Sequence, residues 1–240
     1  MKSVIVATKN IGRLVEASQA LITRTPGTPG MGLLFGKSGL GKTTATAWFV
    51  NKCDGVYVRA LASWTPATML QQILRELEMT PERNNCASMV MQITKALRVS
   101  GRPLFIDEFD YIVDDKKMTE TLRDIHDVSS TPIILIGMEN ASRKIQLRDQ
   151  FVNRIAQFVE FRPIDFDDTQ RLARELCEVD IEEDLLKKLY IESKGVVRLV
   201  VIGLDAIERR ARTLNLKKIG ESQWDRDGFF NNDKNKRSRK

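Results

Sequence analysis

Short apolar runs alternate with longer amphipathic segments along the first two thirds of the chain. Each short run has the length of a buried strand, and together they occupy residues 31–36, 55–60, 103–107, 132–137 and 156–161. The segments between them carry apolar residues at helical spacing and predict helices at residues 42–53, 66–78, 85–99 and 118–127. Strands that alternate with helices usually pair in parallel and are covered on both faces. The pattern therefore predicts an α/β fold with a five-stranded parallel sheet flanked by helices.

The pattern changes after Phe161, where turn-forming and acidic residues in "RPIDFDD" precede purely helical segments. Three further helices are predicted at residues 169–178, 181–193 and 196–214. The Pro- and Gly-rich segment "TPGTPGMG" before the first strand indicates a connector. We therefore expect four parts: an N-terminal helical arm or linker at 1–24, an α/β domain at 25–162, a small all-helical lid at 163–219, and a disordered basic tail at 220–240.

The composition is that of a soluble globular protein, with 42% hydrophobic and 29% charged residues. No apolar run approaches the roughly 20 residues that a membrane-spanning helix needs. The amino terminus also lacks the long apolar core of a signal peptide. We therefore expect a cytoplasmic protein without a membrane partner.

The net charge of +6 is concentrated at the carboxyl terminus, where the last seven residues, "KNKRSRK", contain five cations and no acid. The rest of the chain is nearly neutral, so the charge predicts a flexible cationic tail and says little about a basic groove on the folded body. Such a tail either contacts DNA or only keeps the chain soluble, and the composition leaves both open.

The three cysteines are scattered singly along the chain, and His126 is the only histidine. Neither residue type has the spacing of metal ligands, which disfavours a zinc site or a histidine-based catalytic dyad. We expect His126 to lie on the surface of a helix.

The segment that follows the first predicted strand has the spacing of a phosphate-binding loop, G-x-x-x-x-G-K-[ST]. Glycines let backbone N–H groups curl around a phosphate, and the helix that begins after them directs its positive dipole end at the same anion. The candidate nucleotide-binding residues are Gly36, Lys37, Ser38, Gly39, Leu40, Gly41, Lys42, Thr43 and Thr44. Lys42 is expected to bridge the β- and γ-phosphates of ATP, and the Thr43 hydroxyl to bind Mg²⁺.

The third strand ends in "LFIDEFD", which places Asp107 and Glu108 at the carboxyl end of an apolar strand. There, Asp107 is expected to hold Mg²⁺ through water, and Glu108 to polarise the water that attacks the γ-phosphate. This pair favours a hydrolase over a small-molecule kinase, which usually has no base at that place.

The fourth strand is followed by Met138, Glu139 and Asn140. A polar residue at the end of this strand would lie near the γ-phosphate and sense its presence. Asn140 is the first candidate and Glu139 the alternative. An ordinary role for Asn140 at the start of the next helix is equally compatible with the sequence.

Three arginines are candidates for stabilising phosphate charge, because a guanidinium is always charged. Arg148 and Arg154 precede the fifth strand and lie far along the chain from the phosphate loop, so they could act on ATP held by a neighbouring subunit. Arg198, in "SKGVVRLV" at the start of the last helix, could reach the phosphates of its own subunit.

In this order of motifs the chain resembles an AAA+ ATPase. The motifs are the P-loop "GKSGLGKT", the acidic strand "LFIDEFD", the sensor strand "IILIGMEN", the finger segment "FVNRI" and the lid segment "GVVR". The compact build and the segments "IILIGMEN" and "LRDQFVNRI" look like the transposition ATPases of the MuB, TniB and TnsC type. One departure is that no helix-turn-helix domain precedes the P-loop.

The resemblance implies an ATPase that binds duplex DNA with little sequence preference and assembles into a ring or helical filament. It further implies target capture, recruitment of a transposase, disassembly on hydrolysis, and a bacterial or phage-infected host cytoplasm. In related assemblies the element between the second and third strands faces the central channel, where DNA would lie. The cationic candidates in this element are Arg83, Lys95, Arg98 and Arg102, joined by Lys116 and Lys117 after the acidic strand. The alternatives are an AAA+ helicase loader or replication initiator, and a P-loop small-molecule kinase.

Overall fold

A five-stranded parallel sheet forms the centre of the structure, a computed structural model that describes residues 1–25, 27–224 and 228–230. The strands are β1 (Met31–Phe35), β2 (Val56–Arg59), β3 (Leu104–Asp107), β4 (Ile133–Ile136) and β5 (Ile155–Glu160). Their order in the sheet is β2-β3-β4-β1-β5, and every neighbouring pair is parallel. The predicted α/β fold with five parallel strands is therefore confirmed.

Helices connect the strands and cover both faces of the sheet. They are α1 (Lys9–Ile22), α2 (Lys42–Cys53), α3 (Pro66–Glu76), α4 (Cys86–Ser100), α5 (Lys116–Ser129), α6 (Glu139–Gln146) and α7 (Asp149–Val152). A 3₁₀ turn at Phe109–Tyr111 follows β3. Local sequence fixes several starts: Thr65, Asn85 and Asp115 each accept a backbone N–H of the first helical turn through the side chain.

Alternate residues of the central strands enter two different cores, as the period of two of a β-strand requires. Ile133 and Leu135 of β4 pack with α3, α4 and α5 on one face. Ile134 and Ile136 pack with α1 and α2 on the other. Burial on both faces explains why these strands are continuous apolar runs in the sequence.

Backbone contacts divide the chain into two units, which are described separately. The first unit is Asn10–Arg162 and contains the large sheet. The second unit consists of Met1–Lys9 and the described residues from Pro163 onward. Its helices are α8 (Phe166–Leu176), α9 (Glu183–Ser193) and α10 (Val197–Thr213), and their buried residues form one core that also includes Val6.

The second unit also contains a two-stranded parallel ladder, β6 (Asp180–Ile181) with β7 (Lys218–Ile219), beside its helices. Each strand is only two residues long, too short to give a strand pattern in the sequence. Within the stretch predicted as a tail, Glu221–Gln223 form a 3₁₀ turn, and Trp224 is buried and stacks on Phe229 at 4.6 Å between ring centroids. The cationic segment "KNKRSRK" lies outside the described residues.

The expectation for His126 is wrong. It lies on α5 but is 5% exposed, because it belongs to the helix face that packs inward. Its Nδ1–H donates to the Thr131 carbonyl at 2.8 Å. Among the described residues, no helix is long and apolar enough to cross a membrane.

Candidate nucleotide-binding site

The loop between β1 and α2 has the backbone of an anion cradle. Gly36, Gly39 and Gly41 have φ values of 145°, 82° and 88°, a region that favours glycine. A Cβ on Gly36 would lie 2.4 Å from the Phe161 carbonyl oxygen. Glycine is therefore required at Gly36 both for its dihedral angle and for the close approach of Phe161, directly after β5. The loop leads into the N-terminus of α2, where unpaired N–H groups favour an anion.

Lys42 is the first residue of α2, and its ammonium group is held by the loop itself. Nζ donates to the carbonyl of Gly36 at 2.6 Å and to that of Lys37 at 2.9 Å. Burial lowers the pKa of Lys42, while the charges of Asp110, Asp107, Glu108 and Glu139, in that order, oppose the shift. The Lys42 ammonium thus lies in a partly desolvated place near four carboxylates. The ammonium attracts a phosphate, and the carboxylates favour a metal cation beside it.

Asp107 ends β3 and is 2% exposed. Its Oδ1 accepts the Glu108 N–H at 2.8 Å, and its Oδ2 accepts the Tyr57 hydroxyl at 2.7 Å. The pKa of Tyr57 is raised, mainly by burial and secondly by this hydrogen bond. Both carboxylate oxygens are thereby fixed in orientation.

Glu108 follows Asp107 in the left-handed region, with φ of 53°. Its carboxylate accepts from Arg59 Nη2 at 2.9 Å. The hydrogen bond to Glu108 is the main cause that raises the pKa of Arg59. Arg59 therefore holds the predicted water-activating group in an exposed ion pair.

Tyr57 and Arg59 are the residues that sequence reasoning missed. They lie two positions apart on β2, and β2 pairs with β3 so that Arg59 is opposite Asp107. Their side chains therefore share the face that reaches Asp107 and Glu108. The available signal was the alternation along β2, where Tyr57 and Arg59 alternate with the buried residues Val56 and Val58.

The turn after β4 reaches the same end of the sheet. Met138 N–H donates to Asp110 Oδ2 at 2.7 Å, and Glu139 begins α6. Glu139 is one of the carboxylates whose charge acts on Lys42. Asn140 is exposed, and its side chain makes no hydrogen bond to any described residue. The choice between Asn140 and Glu139 as the phosphate-sensing residue stays a prediction.

Arg148 and Arg154 are both bound within their own unit. Arg148 donates to Thr119 Oγ1 at 2.6 Å and to the Asp114 carbonyl at 3.0 Å. Arg154 forms an ion pair with Asp127 at 3.0 Å. The Arg154 carbonyl accepts from Met31 N–H, at the amino end of β1, whereas the phosphate loop follows the carboxyl end. The length of β1, roughly 15 Å, thus separates Arg154 from the loop of its own chain.

Arg198 lies in the first turn of α10 in the second unit and is exposed. A contribution of Arg198 to phosphate binding stays a prediction.

The cationic DNA candidates fall into two groups. Arg98 donates to the Val128 carbonyl, and Arg102 donates to the Asp54 carbonyl at 2.8 Å, so both have structural partners. The others are exposed, and within the described part of the chain their side chains have no hydrogen bond or ion pair: Arg83, Lys95, Lys116 and Lys117.

The residues present fit ATP and Mg²⁺. Three left-handed glycines and a lysine at a helix N-terminus form a cradle for phosphate, and at Gly36 a Cβ would collide with the Phe161 carbonyl oxygen. The Asp107 carboxylate and the exposed hydroxyl of Thr43 are hard oxygen donors of the kind that Mg²⁺ prefers. Bound Mg²⁺ would neutralise charge on the β- and γ-phosphates.

Comparisons with known proteins concern the family and the fold of the chain. A family model described as an AAA domain matches residues 24–145, just over half of the chain. No curated protein matches.

Among solved structures, the Aeropyrum pernix ORC1 protein in complex with DNA is 14% identical with a TM-score of 0.64, over 91% of this chain and 64% of that chain. The Aeropyrum pernix ORC2 protein in its ADPNP–ADP complexes is 17% identical with a TM-score of 0.70, over 93% and 68%. The Thermotoga maritima RuvB Holliday junction branch migration motor is 20% identical with a TM-score of 0.61, over 91% and 67%. The chain thus spans slightly less than two thirds of that ORC1 protein.

Proposed function

The chain belongs to the AAA domain family, and we propose that it is an ATP-dependent, DNA-binding ATPase that oligomerises on duplex DNA. In this proposal it captures target DNA and recruits a transposase, and ATP hydrolysis drives disassembly.

The observation that carries the proposal is the convergence of Lys42, Asp107 and Glu108 at the carboxyl end of one parallel sheet. Ligands of open α/β sheets bind at this end. The Lys42 ammonium binds the phosphates, Asp107 orients the metal ion through water, and Glu108 accepts a proton from the attacking water. The ion pair with Arg59 occupies Oε1 of Glu108 and so competes with the attacking water for this carboxylate.

Oligomerisation is supported by the position of Arg154. Its guanidinium lies near the amino ends of the strands, and the phosphate loop lies at their carboxyl ends. An arginine in that position serves a phosphate only when a neighbouring subunit presents the site to it. Head-to-tail contacts of this kind generate rings or helical filaments.

DNA binding is supported by the exposed cations Arg83, Lys95, Lys116 and Lys117, whose side chains have no acidic partner among the described residues. Phosphate contacts from such groups bind DNA without sequence preference and weaken steeply with salt.

A second candidate function is that of a helicase loader or replication initiator. The similarity of fold to the ORC1 and ORC2 proteins favours this second function, since each of those matches covers more than nine tenths of this chain. The two functions use the same ATP site and differ in the partner protein.

The experiment is electron microscopy of the protein with linear duplex DNA and a slowly hydrolysed ATP analogue. We expect rings or filaments on DNA, and we expect the variant Lys42→Ala to remain unassembled because the phosphates lose their main countercharge. Lys52→Ala, on the exposed side of the same helix, is the matched control. Isolated monomers of the unmodified protein under these conditions would contradict the proposal.

Partner identity then separates the two functions. We expect purified transposase to bind the assembled complex and to increase its ATP turnover. Binding of a hexameric helicase instead would establish the second function.

A further inference from the structure

Asp110 connects two elements of the site, although the predicted chemistry assigns it no role. It lies in the 3₁₀ turn Phe109–Tyr111, directly after the acidic residues at the end of β3. Its Oδ2 accepts the backbone N–H of Met138, 28 residues further along the chain, at 2.7 Å. Met138 lies between β4 and α6, immediately before Glu139. The carboxylate therefore joins the segment after Asp107 and Glu108 to the segment that contains the candidate phosphate sensors.

Gly137 permits this contact. A Cβ at Gly137 would lie 3.0 Å from Asp110 Oδ2 and 2.9 Å from the Cβ of Ala141. A side chain there would press on both the carboxylate and the first turn of α6. The Gly137 N–H donates to the Leu34 carbonyl at 2.9 Å, so the same turn is also attached to the strand that precedes the phosphate loop.

The 3₁₀ turn that carries Asp110 is anchored in the core. Phe109 is fully buried and stacks on Phe151 with 6.2 Å between ring centroids. Within the described residues, no side chain caps the N-terminus of α6, and Met138 occupies the N-cap position without a side-chain hydrogen bond. A carboxylate close to this helix start takes the place of a local cap and stabilises it electrostatically.

We propose that Asp110 is a positioning residue that fixes the turn after β4, and with it Glu139, against the acidic strand. The two groups that respond to the γ-phosphate, the sensor turn and the Asp107–Glu108 pair, then keep one mutual geometry. That Asp110 fixes the turn after β4 rests on the contacts of Asp110 alone. An effect of Asp110 on catalysis rests on the proposed ATPase function.

The structural part is tested by hydrogen–deuterium exchange of the full chain without nucleotide. In Asp110→Ala we expect faster exchange in residues 137–142, because the Met138 N–H loses its acceptor and α6 loses its cap. Asp110→Asn keeps an oxygen acceptor without the charge, and we expect an intermediate rate. Asp114→Ala removes a neighbouring exposed carboxylate that pairs with Lys144 of the same helix, and we expect no change at the turn. Unchanged exchange in Asp110→Ala would overturn the proposal.

The catalytic part is tested by ATP affinity and turnover of the same variants. We expect Asp110→Ala to lower kcat between about tenfold and 100-fold, the usual cost of misplaced catalytic groups, with the ATP Kd changed less than threefold. Asp110→Asn should recover part of the loss. In a double-mutant cycle, Asp110→Ala and Glu139→Gln should be non-additive, because both act through one turn. A rise of Kd in proportion to the fall of kcat, or full additivity, would overturn this part.

Failure of the proposed function has a different signature. If the unmodified protein binds no ATP or does not hydrolyse it, the ATPase assignment is wrong. The exchange rates of residues 137–142 still decide whether Asp110 positions the turn.

Discussion

Three polar side chains of the candidate site already have partners within the protein. Lys42 donates to two loop carbonyls, Asp107 accepts from Tyr57 and from the following N–H, and Glu108 is paired with Arg59. The two contacts of Lys42 do not prevent nucleotide binding, since a bound phosphate offers its ammonium a stronger, charged acceptor. The ion pair of Glu108 is the one that competes with water for the carboxylate.

The Arg59–Glu108 ion pair leads to a prediction about basal hydrolysis. Both side chains are substantially exposed, and exposed pairs contribute about 0.2–1 kcal/mol. Removing the pair in Arg59→Ala should therefore raise basal ATP turnover by a factor of about two to five, because Glu108 is free more of the time. Steady-state phosphate release measures this, with Arg59→Lys as the control that keeps a cation. A decrease in turnover would show that Arg59 assists catalysis.

Buried His126 leads to a prediction about pH. Burial lowers the pKa of His126 below its ordinary value of 6.5, although the hydrogen bond to Thr131 opposes the shift. The unfolded chain then binds the proton more readily than the folded protein, so stability falls as the pH drops below about 6.5. The free energy of unfolding should decrease more between pH 7.5 and 5.5 in the unmodified protein than in His126→Asn. The asparagine can still donate to the Thr131 carbonyl. Equal decreases in both proteins would exclude His126 as the cause.

At the scale of elements, glycines mark the places where backbone segments approach each other. Gly195 ends α9 with φ of 70°, and its carbonyl accepts the Ile164 N–H at 2.9 Å. A Cβ there would lie 2.3 Å from the Ile164 carbonyl oxygen, a backbone atom that cannot rotate away. Both residues belong to the second unit, so the close approach joins the segment before α8 to the connection between α9 and α10.

Gly195→Ala should therefore destabilise the second unit. Strain of a left-handed dihedral angle costs about 1–3 kcal/mol, and the backbone clash adds to it. Gly12→Ala is the control of opposite sign: Gly12 lies inside α1, a Cβ there meets nothing within 4 Å, and alanine should stabilise the helix by about 0.5–1 kcal/mol. Thermal unfolding measures both changes. A neutral Gly195→Ala would mean that the connection between Ile164 and Gly195 relaxes freely.

The elements were largely predictable from the sequence, and the contacts between them were not. β3 and β4 are short apolar runs bounded by Gly, Pro or acidic residues, and local pattern identifies such strands. Tyr57, Arg59 and Asp110 were missed because their roles depend on which strand lies beside which. Tyr57 meets Asp107 across 50 residues, and Asp110 meets Met138 across 28. The motif residues Lys42 and Asp107 could be predicted because local sequence defines them, Lys42 by the spacing of the glycines and Asp107 by its place at the end of an apolar strand.

At the scale of the whole molecule, the position of Arg154 raises the question of which subunit it serves. Its ion pair with Asp127 is on the surface and contributes at most about 1 kcal/mol, so Arg154→Ala should fold normally. Arg148 is different, because it donates to Thr119 Oγ1 and to the Asp114 carbonyl. Thr119 is fully buried, so its hydroxyl would lose a partner in the interior. We therefore expect Arg148→Ala to lose stability and Arg154→Ala to lose turnover.

Mixing two inactive variants tests action between subunits. Glu108→Gln keeps Lys42 and should still bind ATP and assemble, while Arg154→Ala keeps an intact site but lacks the finger. In an equimolar mixture about one quarter of head-to-tail interfaces pair an intact site with an intact finger, so turnover should recover to that fraction of the unmodified protein. Arg162→Ala, which removes a comparable exposed pair with Glu160, should be active without mixing. If the mixture shows no recovery while each variant assembles on DNA, Arg154 does not act on its neighbour.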